Sequence, residues 1–416
     1  MRTPATVLVL GAVLALAACS SPQPPGLTPA PASSPLTIGT LVPTTGQLAH
    51  LGPAQTAGIA LAVKEIDAAG GVLGQPVTVV EGDSGDAYSS VASQTVDREL
   101  DKKVDAIVGA TGSSVTMEVI DKVVGAGVVL VSPGDTSDKL STYPAQGLYF
   151  RTVPPDVLQA KVLGSLIVAS GHRSVAIMHV RDLYGAGLAR DLAGAVVSAG
   201  GRVAASVEYD GQATEFAAAV AQVVASGPDA IVIAGGGESK SIIQELVRAG
   251  IGPSAVPLYL SDLNLSNTLL AGLPAGTLTG VVGVRAGTAP SATFLAALAA
   301  QAPDLTDVGY AAQAYDAVMM IALAADAAGS TKSKAIAQQL LQVGVGPTKC
   351  TSYRSCLALV KAARTIAYVG AAGPIPLGGN GTPTTGTIGV YRFGADNSYP
   401  SAGVDHVAGT VPLSTP

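Results

Sequence analysis

The chain has 416 residues, of which 48% are hydrophobic and only 12% charged, and its formal net charge is −6. This length is sufficient for two domains, since domains commonly contain ~100–200 residues. The abundance of Ala, Val and Leu excludes a disordered chain, which requires low hydrophobicity. The acidic balance argues against a nucleic-acid partner, whose binding surface would be basic.

The amino terminus has the pattern of an exported protein. Arg2 supplies a positive charge, and the apolar run Val7–Ala17 is too short to span a bilayer comfortably. The run ends in Leu16-Ala17-Ala18-Cys19, which resembles the lipobox of bacterial lipoproteins. That resemblance implies a signal peptide over residues 1–18, cleavage before Cys19 and acylation of its thiol. The alternative is an ordinary signal peptide with an incidental cysteine.

Residues 20–35 are rich in Ser, Pro and Ala and lack periodicity, which predicts an extended tether over residues 19–35. The chain has three cysteines. If Cys19 carries lipid, Cys350 and Cys356 remain as a pair for a disulfide in an oxidising compartment, with two free thiols as the alternative. Their spacing and the absence of His partners argue against a zinc site, and we expect no metal and no cofactor.

From residue 36 onward, short apolar segments typical of strands alternate with segments typical of helices. The predicted strands are Leu36–Val42, Pro76–Glu81, Val104–Gly109, Val128–Val131, Ser174–Val180, Arg202–Glu208, Asp229–Ala234, Leu258–Ser261 and Thr387–Phe393. The predicted helices are Ala54–Ala69, Ser90–Lys102, Val115–Gly125, Tyr184–Ala199, Glu215–Ala225 and Ser239–Ala249, and residues 304–341 are mostly helical. This alternation predicts an α/β fold whose parallel sheets are covered on both faces. Two such runs meet near residues 149–151.

In open parallel sheets, ligands bind beyond the carboxyl ends of the strands, so the loops there are the candidate site. The loop 109–114 opens a helix, whose free N–H groups suit a carboxylate, although Ser113 or Ser114 could simply cap that helix. The loop 132–136 offers a backbone carbonyl, a hydroxyl and a carboxylate, and is equally consistent with a turn followed by a cap.

Two further residues follow predicted strands. Asp262 could hold an ammonium group by charge-assisted hydrogen bonds, or it could cap the next segment. The ring of Tyr184 could line a cleft while its hydroxyl donates a hydrogen bond, or the residue could simply pack in the interior.

These four loops, in this order, resemble the leucine/isoleucine/valine-binding proteins of ABC transporters. Matching segments are Ala57–Val72, Tyr184–Gly187, Gly309–Ala312, Ala314–Ala317 and Gly370–Ile375. The resemblance implies the type I periplasmic-binding-protein fold, in which two doubly wound parallel-sheet lobes are joined by a three-crossover hinge that closes on the ligand. It places residues 36–151 and 283–342 in the first lobe, and residues 152–282 and 343–416 in the second.

The same resemblance assigns ligand contacts by position. Ser113 would grip an α-carboxylate, Thr136 would contact carboxylate and ammonium, and Asp262 would pair with the ammonium. The complete set is Ser113, Ser114, Gly134, Asp135, Thr136, Tyr184, Asp262, Tyr310 and Leu51. The sequence departs from the family at three places: Asp135 stands where Ala is frequent, Leu51 stands where an aromatic is frequent, and Gly235 and Gly236 lie where some relatives have a Tyr that lines the cleft. Two acids in one site favour a cationic or polyhydroxylated ligand, unless Asp135 points outward as a cap.

The resemblance therefore implies a binding protein without catalytic residues. We expect it to be lipid-anchored on the outer face of the cytoplasmic membrane and to deliver a small polar solute, an amino acid or a related compound, to an ABC-transporter permease. Alternatives are a sensor or signalling lipoprotein of the same fold, or a binder of amides, urea-like or sugar-like solutes. An enzyme is disfavoured, because four histidines leave few candidate bases and no P-loop or dinucleotide-binding motif is present.

Overall fold

The computed structural model describes residues 34–401 and 403–411, together with residue 1. The predicted signal peptide and Cys19 lie outside the described residues. Across residues 34–401 and 403–411, every helix is too short or too polar to cross a membrane.

Strands and helices alternate along most of the chain, as the sequence predicts. In chain order the elements are β1 (Thr37–Leu41), α1 (Gly52–Ala68), β2 (Thr78–Val80), α2 (Val91–Asp101), β3 (Ala106–Gly109), α3 (Ser113–Gly125), β4 (Val129–Ser132), β5 (Tyr149–Arg151), α4 (Asp156–Ala169), β6 (Ser174–Val180), α5 (Leu183–Ser198), β7 (Arg202–Tyr209), α6 (Ala217–Ser226), β8 (Ala230–Ala234), α7 (Ser239–Arg248), β9 (Leu258–Leu260), β10 (Val282–Ala286), α8 (Ala292–Gln301), α9 (Ala311–Ala328), α10 (Ser333–Leu340), β11 (Thr348–Cys350), α11 (Tyr353–Lys361), β12 (Ile366–Gly370), β13 (Gly373–Pro374), β14 (Thr385–Arg392) and β15 (Asp405–Thr410).

Two large sheets share one strand order. The first sheet is β2-β1-β3-β4-β5, and all its pairings are parallel. The second is β15-β14-β10-β9-β8-β6-β7, in which β7-β6-β8-β9-β10 repeats the order of the first sheet. Strands β14 and β15 extend it by antiparallel pairing. Every residue of β3, β4 and β8 is buried, as expected of strands covered on both faces.

Each sheet has its own hydrophobic core, and we use these cores to define a first and a second lobe. Leu48, Leu51 and Tyr310 pack on the second core from segments whose neighbours in the chain belong to the first, and apart from these contacts the chain passes between the two cores three times. The passages lie between Phe150 and Val153, between Ala286 and Phe294, and between Leu377 and Ile388. The predicted fold class, two doubly wound lobes joined by three crossovers, is thereby confirmed.

The lobe boundaries differ from those expected from the sequence at two places. Strand β10 pairs with β9 and β14 in the second sheet, so the second passage follows Ala286 rather than residue 282. Residues 343–377 remain with the first core, because the Tyr368 hydroxyl donates to Asp316 of α9 at 2.7 Å and the Tyr353 hydroxyl donates to Asp326. The family resemblance predicts the second lobe for this whole segment, which is wrong for residues 343–377.

Cys350 and Cys356 form a disulfide within this segment, with their Cα atoms 5.3 Å apart. The predicted pairing is confirmed. The bridge joins the end of β11 to α11, and both cysteines are buried in the first core.

Candidate functional site

The strand tips of both sheets meet at one cavity. In each sheet the strand order reverses beside the first strand, at β1/β3 and at β6/β8, and such switch points are where open α/β sheets hold ligands. The loops after these four strands line the cavity, together with the loops after β2 and β9. They contribute Leu48, Ser114, Asp182, Tyr184, Glu238 and Leu263, among others. The predicted position of the site therefore agrees with the topology.

The cleft between the lobes is closed in this structure. Ser114 Oγ donates to Asp182 Oδ2 at 3.1 Å and accepts from the Leu183 N–H at 3.2 Å. Gln47 Nε2 of the first lobe donates to the Gly211 carbonyl of the second at 3.2 Å. The cavity has a volume of about 40 Å³, whereas pockets for drug-sized ligands have ~300–1,000 Å³. A solute must therefore enter with the lobes apart.

Asp262 is the centre of a buried cluster at the junction of the lobes. Its carboxylate is fully buried and accepts from the Tyr184 hydroxyl at 2.5 Å and from Gln159 Nε2 at 2.9 Å. The Tyr310 hydroxyl donates to the other oxygen. The structure thus brings together three of the predicted site residues, which lie far apart in the sequence. The two tyrosines point their hydroxyls at the acid that the family resemblance assigns to an ammonium.

A second carboxylate lies beside this cluster. Asp156, the first residue of α4, is fully buried, and Gln159 Nε2 reaches its Oδ1 at 3.4 Å while its Oδ2 has no hydrogen-bond partner in the described structure. Burial, followed by the charges of Asp262 and Asp138, raises the pKa of Asp156 well above its ordinary value. Sequence reasoning missed this residue, because an Asp in the first turn of a helix is usually a partner for the helix dipole.

The loop after β4 lies against the start of α3. Ser113 Oγ accepts from the Ser137 N–H at 3.1 Å, and the Thr136 carbonyl accepts from the Asp156 N–H at 2.7 Å. Thr136 Oγ1 is buried without a partner. A Cβ on Gly134 would lie 2.8 Å from Thr111 Cγ2, so the loop packs closely at that position. Ser113, Gly134 and Thr136 are all buried behind the cavity rather than in its lining.

Asp135 points into the first lobe. It is fully buried, and its Oδ2 accepts from the Tyr149 hydroxyl at 3.2 Å, while the Arg151 guanidinium donates to its backbone carbonyl at 3.1 Å. Burial raises the pKa of Asp135 to about 6. Asp135 neither lines the cavity nor caps an exposed segment. Neighbouring side chains accommodate this Asp at a position where the family often has Ala.

Leu51 also lies away from the cavity. It is buried in the core of the second lobe, although it follows β1 of the first, and Leu48 lines the cavity in its place. Leu48 precedes the three-residue helical turn Ala49–Leu51, and both leucines pack in the second core, but only Leu48 also reaches the cavity. Among the described residues, no group of three or more His, Cys, Asp or Glu side chains is arranged to hold a metal ion.

Two sheets whose tips face one closable cavity define a two-lobed binding protein. The chain belongs to the periplasmic binding protein family, whose pattern matches residues 35–348. The family is one of binding proteins, which supports a solute-binding role, and the resemblance seen in the sequence is confirmed.

Two relatives match most of the chain. The chemotactic signal transduction system substrate-binding protein BasB of Halobacterium salinarum is 29% identical over 370 residues, which cover 86% of this chain and 87% of BasB. Leu/Ile/Val-binding protein homolog 3 of Brucella melitensis is 28% identical over 74% of this chain and 83% of its own length.

Solved structures share the fold. A leucine-binding protein LivK from Thermotoga maritima has a TM-score of 0.74 at 20% identity, covering 91% of this chain and 99% of its own. The branched-chain amino acid substrate-binding protein LivJ from Streptococcus pneumoniae, in complex with isoleucine, has a TM-score of 0.73 at 23% identity, covering 91% and 100% respectively.

Proposed function

We propose that this chain captures an amino acid or a related amine outside the cytoplasmic membrane and delivers it to the permease of an ABC importer. The observation that carries the proposal is the buried pair Asp156 and Asp262. No Lys, Arg or His among the described residues lies within ion-pair distance of either carboxylate.

Electrostatics give this pair a preference for a cation. A buried carboxylate without a cationic partner is costly, and after burial the charge of Asp262 is the next cause that raises the pKa of Asp156. An ammonium group placed between them would supply up to three charge-assisted hydrogen bonds. The unpartnered Thr136 hydroxyl and the N–H groups at the start of α3 are suited to the carboxylate of the same solute.

Calorimetry with amino acids, amides, polyamines and sugars tests the binding role. We expect one amine-bearing solute to bind with 1:1 stoichiometry and the Asp262→Asn variant to bind it ~10–100-fold more weakly, since hydrogen bonds to charged groups contribute about 1.5–3 kcal/mol. Asp304→Asn, which changes an exposed Asp, is the matched control. Unchanged affinity in Asp262→Asn, or binding of sugars alone, would refute the proposal.

The anchor is a separate part of the proposal. Acylation of Cys19 would hold the protein at the membrane surface beside its permease, because several acyl chains together resist dissociation. Metabolic labelling with a palmitate analogue should mark the wild-type chain and leave Cys19→Ser unlabelled. Release of the wild-type protein into the medium without label would contradict the anchor while leaving the binding role intact.

A second candidate function is signalling. It is favoured by the similarity to BasB, which extends over most of both chains and whose name describes a chemotactic system. Deletion of the chain distinguishes the two roles: loss of solute uptake supports delivery to an importer, whereas intact uptake with a lost tactic response supports signalling.

A further inference from the structure

The cavity at the two switch points is acidic, and its remaining lining is mostly apolar. Three of its lining residues are carboxylates, and the described lining residues include neither Lys nor Arg. Most of the remaining lining is aliphatic or glycine. The acids are Asp86, Asp182 and Glu238, and the aliphatic side chains include Leu48, Val115 and Leu263.

Two of these acids are engaged by the protein itself. Asp86 accepts from the N–H groups of Gln47 at 3.0 Å and Tyr88 at 3.0 Å. Asp182 caps α5 by accepting from the Gly185 N–H at 2.7 Å, and its other oxygen accepts from Ser114. Both acids therefore have structural roles in the closed cleft.

Glu238 is different. Its Oε1 accepts from the Tyr209 hydroxyl at 2.7 Å and from the Gly236 N–H at 2.9 Å, which holds the carboxylate in place. Among the described residues no group donates to its Oε2, although the side chain lines the cavity and the residue is only 7% exposed. Burial also raises the pKa of Glu238.

Neighbouring glycines make room for this carboxylate. A Cβ on Gly235 would lie 2.3 Å from Glu238 Oε1, so any larger residue would displace the acid. Tyr88 lies across the cavity, and the pKa of its hydroxyl reflects the negative charges there. Burial, followed by the charges of Asp182 and Glu238, raises the pKa of its hydroxyl to about 12.

The cavity adjoins the Asp262 cluster through one side chain. The ring of Tyr184 lines the cavity, and its hydroxyl donates to Asp262. A solute whose ammonium lies at Asp262 would therefore extend its other end past Tyr184 toward Glu238. The volume of about 40 Å³ suits the end of a chain rather than a whole solute.

Resting on the proposed function, we infer that Glu238 binds a second cationic group at the far end of the solute. The solute class is an amino acid whose aliphatic chain ends in an ammonium or guanidinium group. Leu48, Val115 and Leu263 would pack against the methylene groups of the chain, and the free Glu238 oxygen would accept from its cationic end.

L-lysine and L-norleucine form the matched pair that tests this inference, because they share a four-carbon side chain and differ by the terminal amine. We expect calorimetry at pH 7 to show that lysine binds at least 10-fold more tightly. Norleucine binding as tightly as lysine would overturn the inference and leave the solute-binding role standing. Failure of both to bind would overturn the inference as well, and the wider solute screen would then decide the role separately.

The Glu238→Gln variant locates the preference. Its affinity for lysine should fall at least 10-fold, to the level of norleucine, while its affinity for norleucine stays within 2-fold. Glu215→Gln, which changes an exposed Glu of the same lobe, should keep the full preference. Unchanged discrimination in Glu238→Gln would assign the preference elsewhere and refute the role of Glu238. The wild-type comparison of lysine with norleucine remains decisive if the variant is unstable.

Discussion

The two lobes share one strand order and differ in the chemistry that their loops bring to the cleft. The first lobe supplies hydroxyl and N–H groups, from Ser113, Ser114 and the segment at Thr136. The second lobe supplies the carboxylates Asp182, Glu238 and Asp262. Apart from Asp86, a cavity carboxylate of the first lobe that N–H groups of the same lobe engage, equivalent loops on equivalent sheets thus form a donor side and an acidic side. The comparison teaches that the topology places the site and that the side chains at the strand tips give it polarity.

The largest expected effect lies in the first lobe, far from this polarity. Glu99 of α2 packs on Gly39 with both carboxylate oxygens buried and unpartnered, and burial raises its pKa to about 8 from 4.5. The folded state then holds a proton that the unfolded state releases. The contribution of Glu99 to the free energy of unfolding is therefore full below pH 4.5 and is lost as the pH rises through 8.

Glu99→Gln should therefore raise the free energy of unfolding at pH 9 by an amount of the order of 3 kcal/mol and change it little at pH 4.5. Denaturant titrations of wild type and variant across this range measure the difference. Glu81→Gln, which changes an exposed Glu of the same lobe, should follow the wild type. A pH-independent difference for Glu99→Gln would show that burial of the charge is not the cause. Added solute should leave the difference unaltered.

The acidic side of the cleft should behave differently. Asp156→Asn should stabilise the solute-free protein near neutral pH by roughly 2 kcal/mol, because at that pH Asp156 must take up a proton or bury its charge on folding, and Asn need do neither. Favourable interaction of that charge with the α4 dipole is worth only about 0.3–1 kcal/mol, so relief from burial prevails. Since the pKa of Asp156 is raised in the folded state, the stabilisation should vanish at acidic pH.

Saturation with solute should change the effect of the Asp156 substitution but not that of the Glu99 substitution, because a bound cation would offset the charge of Asp156 alone. Thermal unfolding with and without the bound solute should show the advantage of Asp156→Asn shrinking or reversing. An advantage that persists unchanged would separate Asp156 from the binding site.

The smallest expected effect concerns the donor side. Ser114→Ala removes two hydrogen bonds between the lobes, to Asp182 and Leu183. The closed state should lose about 1 kcal/mol, which weakens every solute by the same factor of about 5. Small-angle scattering of the solute-free variant should show a larger radius of gyration, and Ser254→Ala, at an exposed position, should not. A change in preference between lysine and norleucine would contradict this uniform role.

Much of the fold could be predicted because apolar runs such as 106–108 and 230–234 are buried on both faces and each lies between an Asp and a Gly. The cluster of Asp262, Tyr184 and Tyr310 could be predicted in part, because each of these residues lies next to the end of a strand or the start of a helix. Asp156 and Glu238 could not, because an acid at a helix start or in a glycine loop has the same local pattern whether it caps, binds or is solvated.

Leu51 and Asp135 illustrate a second limit. Both lie in predicted site loops, yet Leu51 packs into a core and Asp135 contacts Tyr149. The direction in which a loop side chain points depends on one or two backbone dihedrals, and the periodicity of the sequence does not encode them. Residues 343–377 show the same limit at larger scale, because their place in the first lobe depends on hydrogen bonds to α9.

The three passages between the lobes have a mechanical consequence. A single passage would let one lobe rotate freely against the other. The first and second passages are each hydrogen-bonded to the third, Arg151 N–H to the Gly381 carbonyl at 3.1 Å and Gly287 N–H to the Thr387 carbonyl at 2.8 Å, so together they restrict torsion and still permit hinge closure. Opening and closing for solute exchange is thereby reduced to one hinge motion. The donor and acidic sides return to the same alignment each time the lobes close.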